Sequence, residues 1–313
     1  MFGAMKSAQA SARPNPSSRS RVIAAFVAVY VVWGSTYLAI RYAVETIPPF
    51  LMVGTRFLVS GVLLYAWSRS RGDERPTSAQ WRDAAIAGLL LLCCGNGAVA
   101  WAEQRVPSGL AALLVAIVPL WMVLVDWFRP GGVRPSLVVL AGVIVGLVGL
   151  DVLIGPQTLT GHGDIDRIAV VVLIVASLAW ALGSVYNRYG ARPSSAVMST
   201  GLQMIAGSVG LLLAAFIGGE FGAIHIARIS FASWMGWLYL VTLGSLVGFT
   251  AYVYLLRAVS PAKASTYAYV NPVVAVFLGW AIAGEPVTPR TLAAAAIILG
   301  GVAMITISQN GTT

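Results

Sequence analysis

Trp33-Gly34-Ser35-Thr36-Tyr37-Leu38-Ala39-Ile40-Arg41-Tyr42 ends the first long apolar run of the chain. Trp180-Ala181-Leu182-Gly183-Ser184-Val185-Tyr186-Asn187-Arg188-Tyr189 stands in register with it. Trp, Arg and Tyr hold the same relative places in both (Trp33 with Trp180, Arg41 with Arg188, Tyr42 with Tyr189). Three identities in ten residues would not establish a repeat in a chain so rich in aromatics, so the surroundings have to decide. The fourth apolar run opens Pro107-Ser108-Gly109 and carries Val118-Pro119, while the ninth opens Pro261-Ala262-Lys263 and carries Asn271-Pro272. Each matched pair is five runs apart, an odd number, so the two halves enter a membrane from opposite sides. Inverted repeats of this kind are common among secondary transporters, with the substrate near the bilayer midplane between the halves.

From Val22 onward the apolar runs are about 20 residues long, the length a helix needs to cross the hydrocarbon core. The sequence predicts ten spans, at 22–44, 48–68, 83–101, 107–128, 135–155, 168–189, 195–217, 233–257, 261–283 and 290–308. All are helices, because lipid offers no partner to a free backbone amide. The expected fold is all-α integral membrane: ten transmembrane helices as two inverted five-helix repeats around a central cavity. In domain terms these are a disordered cytoplasmic tail (1–21), a first repeat (22–155), a linker (156–167), a second repeat (168–308) and a C-terminal tail (309–313).

Composition supports the membrane class. Hydrophobic residues make up 58% and charged residues 10%, against about 25% charged in soluble domains. The net charge of +9 is spread between the apolar runs rather than over one basic face, which points to membrane orientation and away from nucleic acid. With the N-terminal tail in the cytoplasm, fourteen Lys and Arg lie inside and five outside, and both termini are expected in the cytoplasm. The first 21 residues are polar and carry Lys6, Arg13, Arg19 and Arg21 but no acidic residue. They lack the apolar core of a signal peptide; an organellar presequence remains the alternative to a cytoplasmic tail. Cys93 and Cys94 are neighbours, point apart on a helix, and are read as packing residues.

Polar residues within the spans are few. Arg56 lies eight residues into the second span, about 12 Å deep, where a charge faces a partner or a cavity. Two uses stay open: a pair with Glu103 or Glu45, or contact with a substrate anion. Tyr30, Gly34, Tyr37 and Arg41 share one helical face, as do Trp180, Ser184 and Asn187, and Lys263, Tyr267 and Asn271. Pro119 and Pro272 interrupt backbone hydrogen bonding and expose carbonyls or kink their helices. Asn96, between two glycines, bonds across helices or meets a ligand. The expected cavity set is Trp33, Tyr37, Arg56, Asn96, Pro119, Trp180, Ser184, Tyr267, Tyr269 and Asn271. Asp126 and Asp151, near helix ends, are read as interfacial. Small residues at Gly142, Gly146 and Gly149, and at Ala296, Gly300 and Ala303, mark the fifth and tenth spans as close-packing buttresses outside the cavity.

No catalytic, cofactor or metal site is expected. His162 and His225 both fall in loops, and the chain has no G-x-x-x-x-G-K-[ST] stretch. Four groups of residues resemble the EamA-type exporters of the drug/metabolite transporter superfamily. They are Trp33-Gly34-Ser35-Thr36, Pro49 with Arg56-Phe57, Pro107-Ser108-Gly109 with Pro119, and Tyr269-Val270-Asn271-Pro272 followed by Gly284-Glu285. The resemblance covers Val22 to Ser308 and is closest to bacterial inner-membrane exporters of amino acids and related metabolites. It implies two five-helix inverted repeats, with four helices of each lining a cavity and the fifth outside. Glu285 departs from the two-fold pattern, since Arg129-Pro130-Gly131-Gly132 follows the fourth span instead. The expected activity is export of small metabolites, foremost apolar or aromatic amino acids, from the bacterial inner membrane by alternating access. A multidrug exporter of the same fold and a lipid-modifying membrane enzyme are the alternatives. The expected partners are a small-molecule substrate and membrane lipid, with no nucleic acid. Proton coupling and homodimer formation are left open by the sequence.

Overall fold

The computed structural model describes residues 16–129, 132, 134–160, 166–259, 264 and 266–310. Among them all regular structure is helical. The long helices are α1 (Arg19–Ala43), α2 (Pro49–Ser70), α3 (Ser78–Ala102), α4 (Ser108–Phe128), α5 (Leu137–Thr160), α6 (Arg167–Tyr189), α7 (Ala196–Ile217), α8 (Phe231–Ala258), α9 (Tyr267–Ala283) and α10 (Pro289–Asn310). Seven of them are long and apolar enough to cross a membrane; α5, α9 and α10 carry the shorter apolar stretches Leu137–Leu153, Val270–Ala283 and Pro289–Ile305.

Polar caps fix where the helices start. α3 begins at Ser78, ahead of the expected 83, because Thr77 and Gln80 form a reciprocal capping box. Asp166, Ser195 and Ser230 cap α6, α7 and α8 through side-chain oxygens, and Pro49 and Pro289 occupy first turns. α5 runs to Thr160, into the 156–167 stretch expected as a linker; His162 lies outside the described residues. So do residues 260–263, where the ninth span was expected to open.

Three helices depart from α geometry. Ala28–Trp33 in α1, Leu89–Gly97 in α3 and Leu240–Phe249 in α8 are π-helical, a distortion found mostly at functional sites. α4 breaks at Ala116–Ile117, and Pro119 takes the second position of the renewed segment Val118–Phe128. Its missing amide costs nothing there, so Pro119 marks a break between two segments rather than a kink within one.

Small residues set the close helix contacts. A Cβ on Gly61 would lie 2.8 Å from the Ile205 amide, and one on Gly207 2.7 Å from the Gly88 carbonyl. Glycine at these two places lets α7 lie flush behind α2 and α3. α5 and α10 pack chiefly on each other, with a Cβ on Gly142 reaching 2.7 Å from the Gly301 carbonyl. The expected α10 stripe is corrected in register. Ala296 and Gly300 are exposed, whereas Ile298, Gly301 and Ile305 face α5. Val171, Val209, Leu213 and Phe277 stand exposed on the outer surface, as suits helices surrounded by acyl chains.

Candidate functional site

A cavity of ≈ 70 Å³ lies at mid-length of the helices, lined by α1, α2, α3, α4, α6, α8 and α9. At about 10–15 Å³ per water it holds roughly five waters, so a solute larger than that requires the walls to part. Among the described residues, α5, α7 and α10 contribute nothing to the lining. Each π-helical segment delivers lining residues: Trp33 from α1, Gly95 and Asn96 from α3, and Phe249 from α8. The wider turn re-aims side chains that a regular helix would point elsewhere.

Aromatic rings crowd one side of the cavity. Trp33 sits 5.6 Å from Trp180 and 5.5 Å from Tyr267, both edge-on, and 4.9 Å from Tyr252. Edge-to-face contacts at these separations exceed the value of simple area burial. The Trp33 indole is fixed by donating to the Gly244 carbonyl at 3.2 Å. It also needs glycine at 248, where a Cβ would come within 2.6 Å of its Nε1. Behind this layer Tyr252 and Ser184 hydrogen-bond at 3.0 Å.

Polar groups in the wall are incompletely satisfied. Arg56 is 3% exposed; its Nε donates to Ser245 Oγ at 2.8 Å and its guanidinium lies 4.6 Å from the Phe57 ring centroid. Arg56 Nη1, Trp180 Nε1 and Asn271 Oδ1 are buried without hydrogen-bond partners. An unsatisfied polar atom costs about 1–3 kcal/mol, so these atoms, of which Trp180 Nε1 also faces the Tyr252 and Tyr267 hydroxyls, favour a ligand or water in the cavity. Of the two uses left open for Arg56, the pair with Glu103 or Glu45 does not form among the described residues.

Of the expected cavity residues, Trp33, Tyr37, Arg56, Asn96, Trp180, Tyr267 and Asn271 line this space. Asn96 reaches back to the Leu91 carbonyl at 3.5 Å. Ser184 lies behind the aromatic layer, and Pro119 is buried at the α4 break. The side chain of Tyr269 lies outside the described residues. Sequence reading missed Phe57, Phe249 and Tyr252. Their apolar or aromatic character resembles that of lipid-facing neighbours, and only the π-helical turn brings Phe249 inward.

Sequence reading also missed a polar cluster around Arg41, the residue that follows the lining residue Ile40. Glu285 Oε1 accepts from Arg41 Nη1 at 2.7 Å, from the Ser108 amide at 2.9 Å and from Ser108 Oγ at 2.8 Å. Its Oε2 accepts from the Gly109 amide at 3.1 Å. A carboxylate thus caps the N-terminus of α4, where free amides and the helix dipole favour an anion. Gly284, at φ 65°, turns the chain back after α9, and Gly279 leaves room, since a Cβ there would be 2.4 Å from Glu285 Oε2. The legible signal was Pro107-Ser108-Gly109 itself, a helix start with free amides and no acid of its own.

A family model described as the EamA-like transporter family matches residues 20–155 and 167–307. The "Uncharacterized inner membrane transporter YedA" of Escherichia coli (strain K12) is 39% identical over 286 residues, 91% of this chain and 90% of that protein. The "Probable terminal-alkyne amino-acid exporter" of Streptantibioticus cattleyicolor is 29% identical, with 91% of this chain and 93% of that protein covered. A solved structure described as "Crystal structure of protein" superposes with a TM-score of 0.67 at 21% identity, covering 93% of this chain and 99% of that one. That last likeness concerns the fold alone.

Proposed function

The chain belongs to the EamA-like transporter family, a multi-pass inner-membrane transporter and not an enzyme, and from this we propose that it exports amino acids and related amphipathic metabolites. Export proceeds by alternating access between two inverted five-helix halves, α1–α5 and α6–α10, with both termini in the cytoplasm. On this orientation the Arg41–Glu285 cluster closes the periplasmic end and the aromatic layer closes the cytoplasmic end. The small cavity between them corresponds to an occluded state.

Three unpartnered polar atoms support the substrate class. Arg56 Nη1 and Trp180 Nε1 supply donors for a carboxylate, and Asn271 Oδ1 supplies an acceptor for an ammonium. The faces of Trp33 and Tyr267 favour an ammonium or an apolar side chain. The likeness to a protein named as an amino-acid exporter agrees with this. The test is efflux of a panel of amino acids from proteoliposomes holding the purified protein, with and without a pH gradient. Saturable efflux of apolar and aromatic amino acids is expected. Efflux of cationic drugs with none of amino acids would overturn the substrate class.

A further inference from the structure

Glu103 follows α3 directly, in the turn that leads to α4. It is 5% exposed, and neither carboxyl oxygen has a hydrogen-bond partner. Several ionisable groups lie around it, and the nearest cation is bound elsewhere. α1 contributes Arg41 and Tyr37, and the turn after α9 contributes Glu285, all within electrostatic reach of Glu103. Arg41 is bound to Glu285, and the Ser108 hydroxyl and the first α4 amides are spent on the same carboxylate. On the Glu103 turn itself, Arg105 pairs with Asp166 at 3.6 Å and stacks 3.8 Å from the Trp101 ring centroid. From α2, Arg56 is held by Ser245, and Arg167 at the start of α6 is exposed.

The cluster therefore holds one guanidinium and two carboxyls, with the Arg41 and Ser108 side-chain donors on Glu285 and, among the described residues, no side-chain donor in hydrogen-bond contact with Glu103. A buried carboxylate without a donor or cation is strongly disfavoured against its neutral acid. We propose that Glu103 is a proton-binding site, and that closing the Arg41–Glu285 gate binds one proton there from the aqueous phase at that end. The site rests on the alternating-access reading but on no particular substrate.

The reaction is a simple protonation. When the cluster parts, water reaches Glu103 and its O–H bond breaks, giving carboxylate and hydronium; on closure the carboxylate takes one proton back. Burial pushes the Glu103 carboxyl well above the ordinary carboxylate range, the Glu285 carboxylate adds to that push, and Arg41 opposes it through its charge and its backbone amide without overcoming it. The closed state thus binds one more proton than the open state. By linkage, acidity at that face favours closure and alkalinity favours opening.

The test is a distance titration without substrate. Spin labels are placed at Glu45→Cys, beyond α1, and Ile282→Cys, on the last turn of α9, in a Cys93→Ala, Cys94→Ala background in lipid nanodiscs. The pH is varied from about 5 to about 9, a range that begins near the ordinary carboxyl value and runs well above it. With Glu103 intact, the short-distance population dominates at the acid end and gives way to a longer one as pH rises. Glu103→Gln, fixed as the neutral form, keeps the short population throughout. A distribution that ignores pH with Glu103 intact, or a Glu103→Gln protein that titrates like its parent, overturns the proposal. Should Glu103→Gln fail to fold, Glu103→Asp must move the midpoint, and an unchanged midpoint is equally fatal. Lack of amino-acid efflux from proteoliposomes would remove the substrate reading and leave this result standing.

Discussion

Arg41 and Glu285 lie 244 positions apart in the chain and meet at 2.7 Å, joining the end of α1 to the turn after α9. Glu285 is 5% exposed and Arg41 35%, so the pair is only half withdrawn from solvent. What raises it above a surface ion pair is the company of Ser108 and Gly109, which give the carboxylate three further donors. The cluster ties together α1, α4 and α9, all of which line the cavity.

Replacing Glu285→Gln keeps the shape and removes the anion. An amide offers one acceptor oxygen where the carboxylate offered two, and it attracts neither Arg41 nor the α4 amides as strongly. Breaking a fully buried charge pair costs about 3–5 kcal/mol; with Arg41 partly solvated, about 2–3 kcal/mol is expected here. A thermal melt of the detergent-solubilised protein checks this. A melting temperature equal to wild type would show that the cluster does not hold the closed form.

Gly279→Ala is expected to reproduce that loss without touching a charge. The new methyl would lie 2.4 Å from Glu285 Oε2, so the carboxylate must leave the α4 amides. Because both changes break the same contacts, the double variant Gly279→Ala, Glu285→Gln should melt close to the single ones. Full additivity would mean that the methyl acts elsewhere.

Much of the fold was legible because a bilayer leaves a chain few options. Apolar length marked most helix ends to within a few residues, the start of α3 and the end of α5 excepted. The cavity was partly legible, since Trp33, Arg56, Trp180 and Asn271 are polar or aromatic where lipid would tolerate neither charge nor amide. Phe249 was not, because the π-helical turn shifts the face that periodicity assigns. Nor was the Arg41–Glu285 meeting, which depends on the backward turn at Gly284 and on the space at Gly279.

The α5–α10 contact separates pattern from packing. Gly300 belongs to the small-residue stripe read from sequence, yet a Cβ there meets nothing within 4 Å, while one on Gly301 would lie 2.7 Å from both the Gly142 carbonyl and the Gly146 amide. Gly300→Ala is expected to be neutral or stabilising by up to about 1 kcal/mol, the helix-propensity gain. Gly301→Ala is expected to destabilise by about 1–3 kcal/mol, the usual cost of overpacking. Melting temperatures of the two variants decide it; the reverse order would mean that α10 is rotated about its axis.

Arg56 bears most directly on transport. Its Nε is held by Ser245 at 2.8 Å while Nη1 is left without a partner, an arrangement that orients a fork and keeps one prong free. Arg56→Gln should therefore raise the KM for amino-acid efflux by about 10- to 100-fold, the worth of one hydrogen bond to a charged group at about 1.5–3 kcal/mol. Ser245→Ala loosens the fork without removing the charge and should cost less, in KM rather than in the maximal rate. Arg56→Lys should not rescue, because an ammonium cannot bind Ser245 and a carboxylate in the same plane. Efflux kinetics from proteoliposomes measure all three. An Arg56→Gln protein with wild-type KM would place the substrate carboxylate elsewhere in the cavity and leave the buried guanidinium a purely structural role.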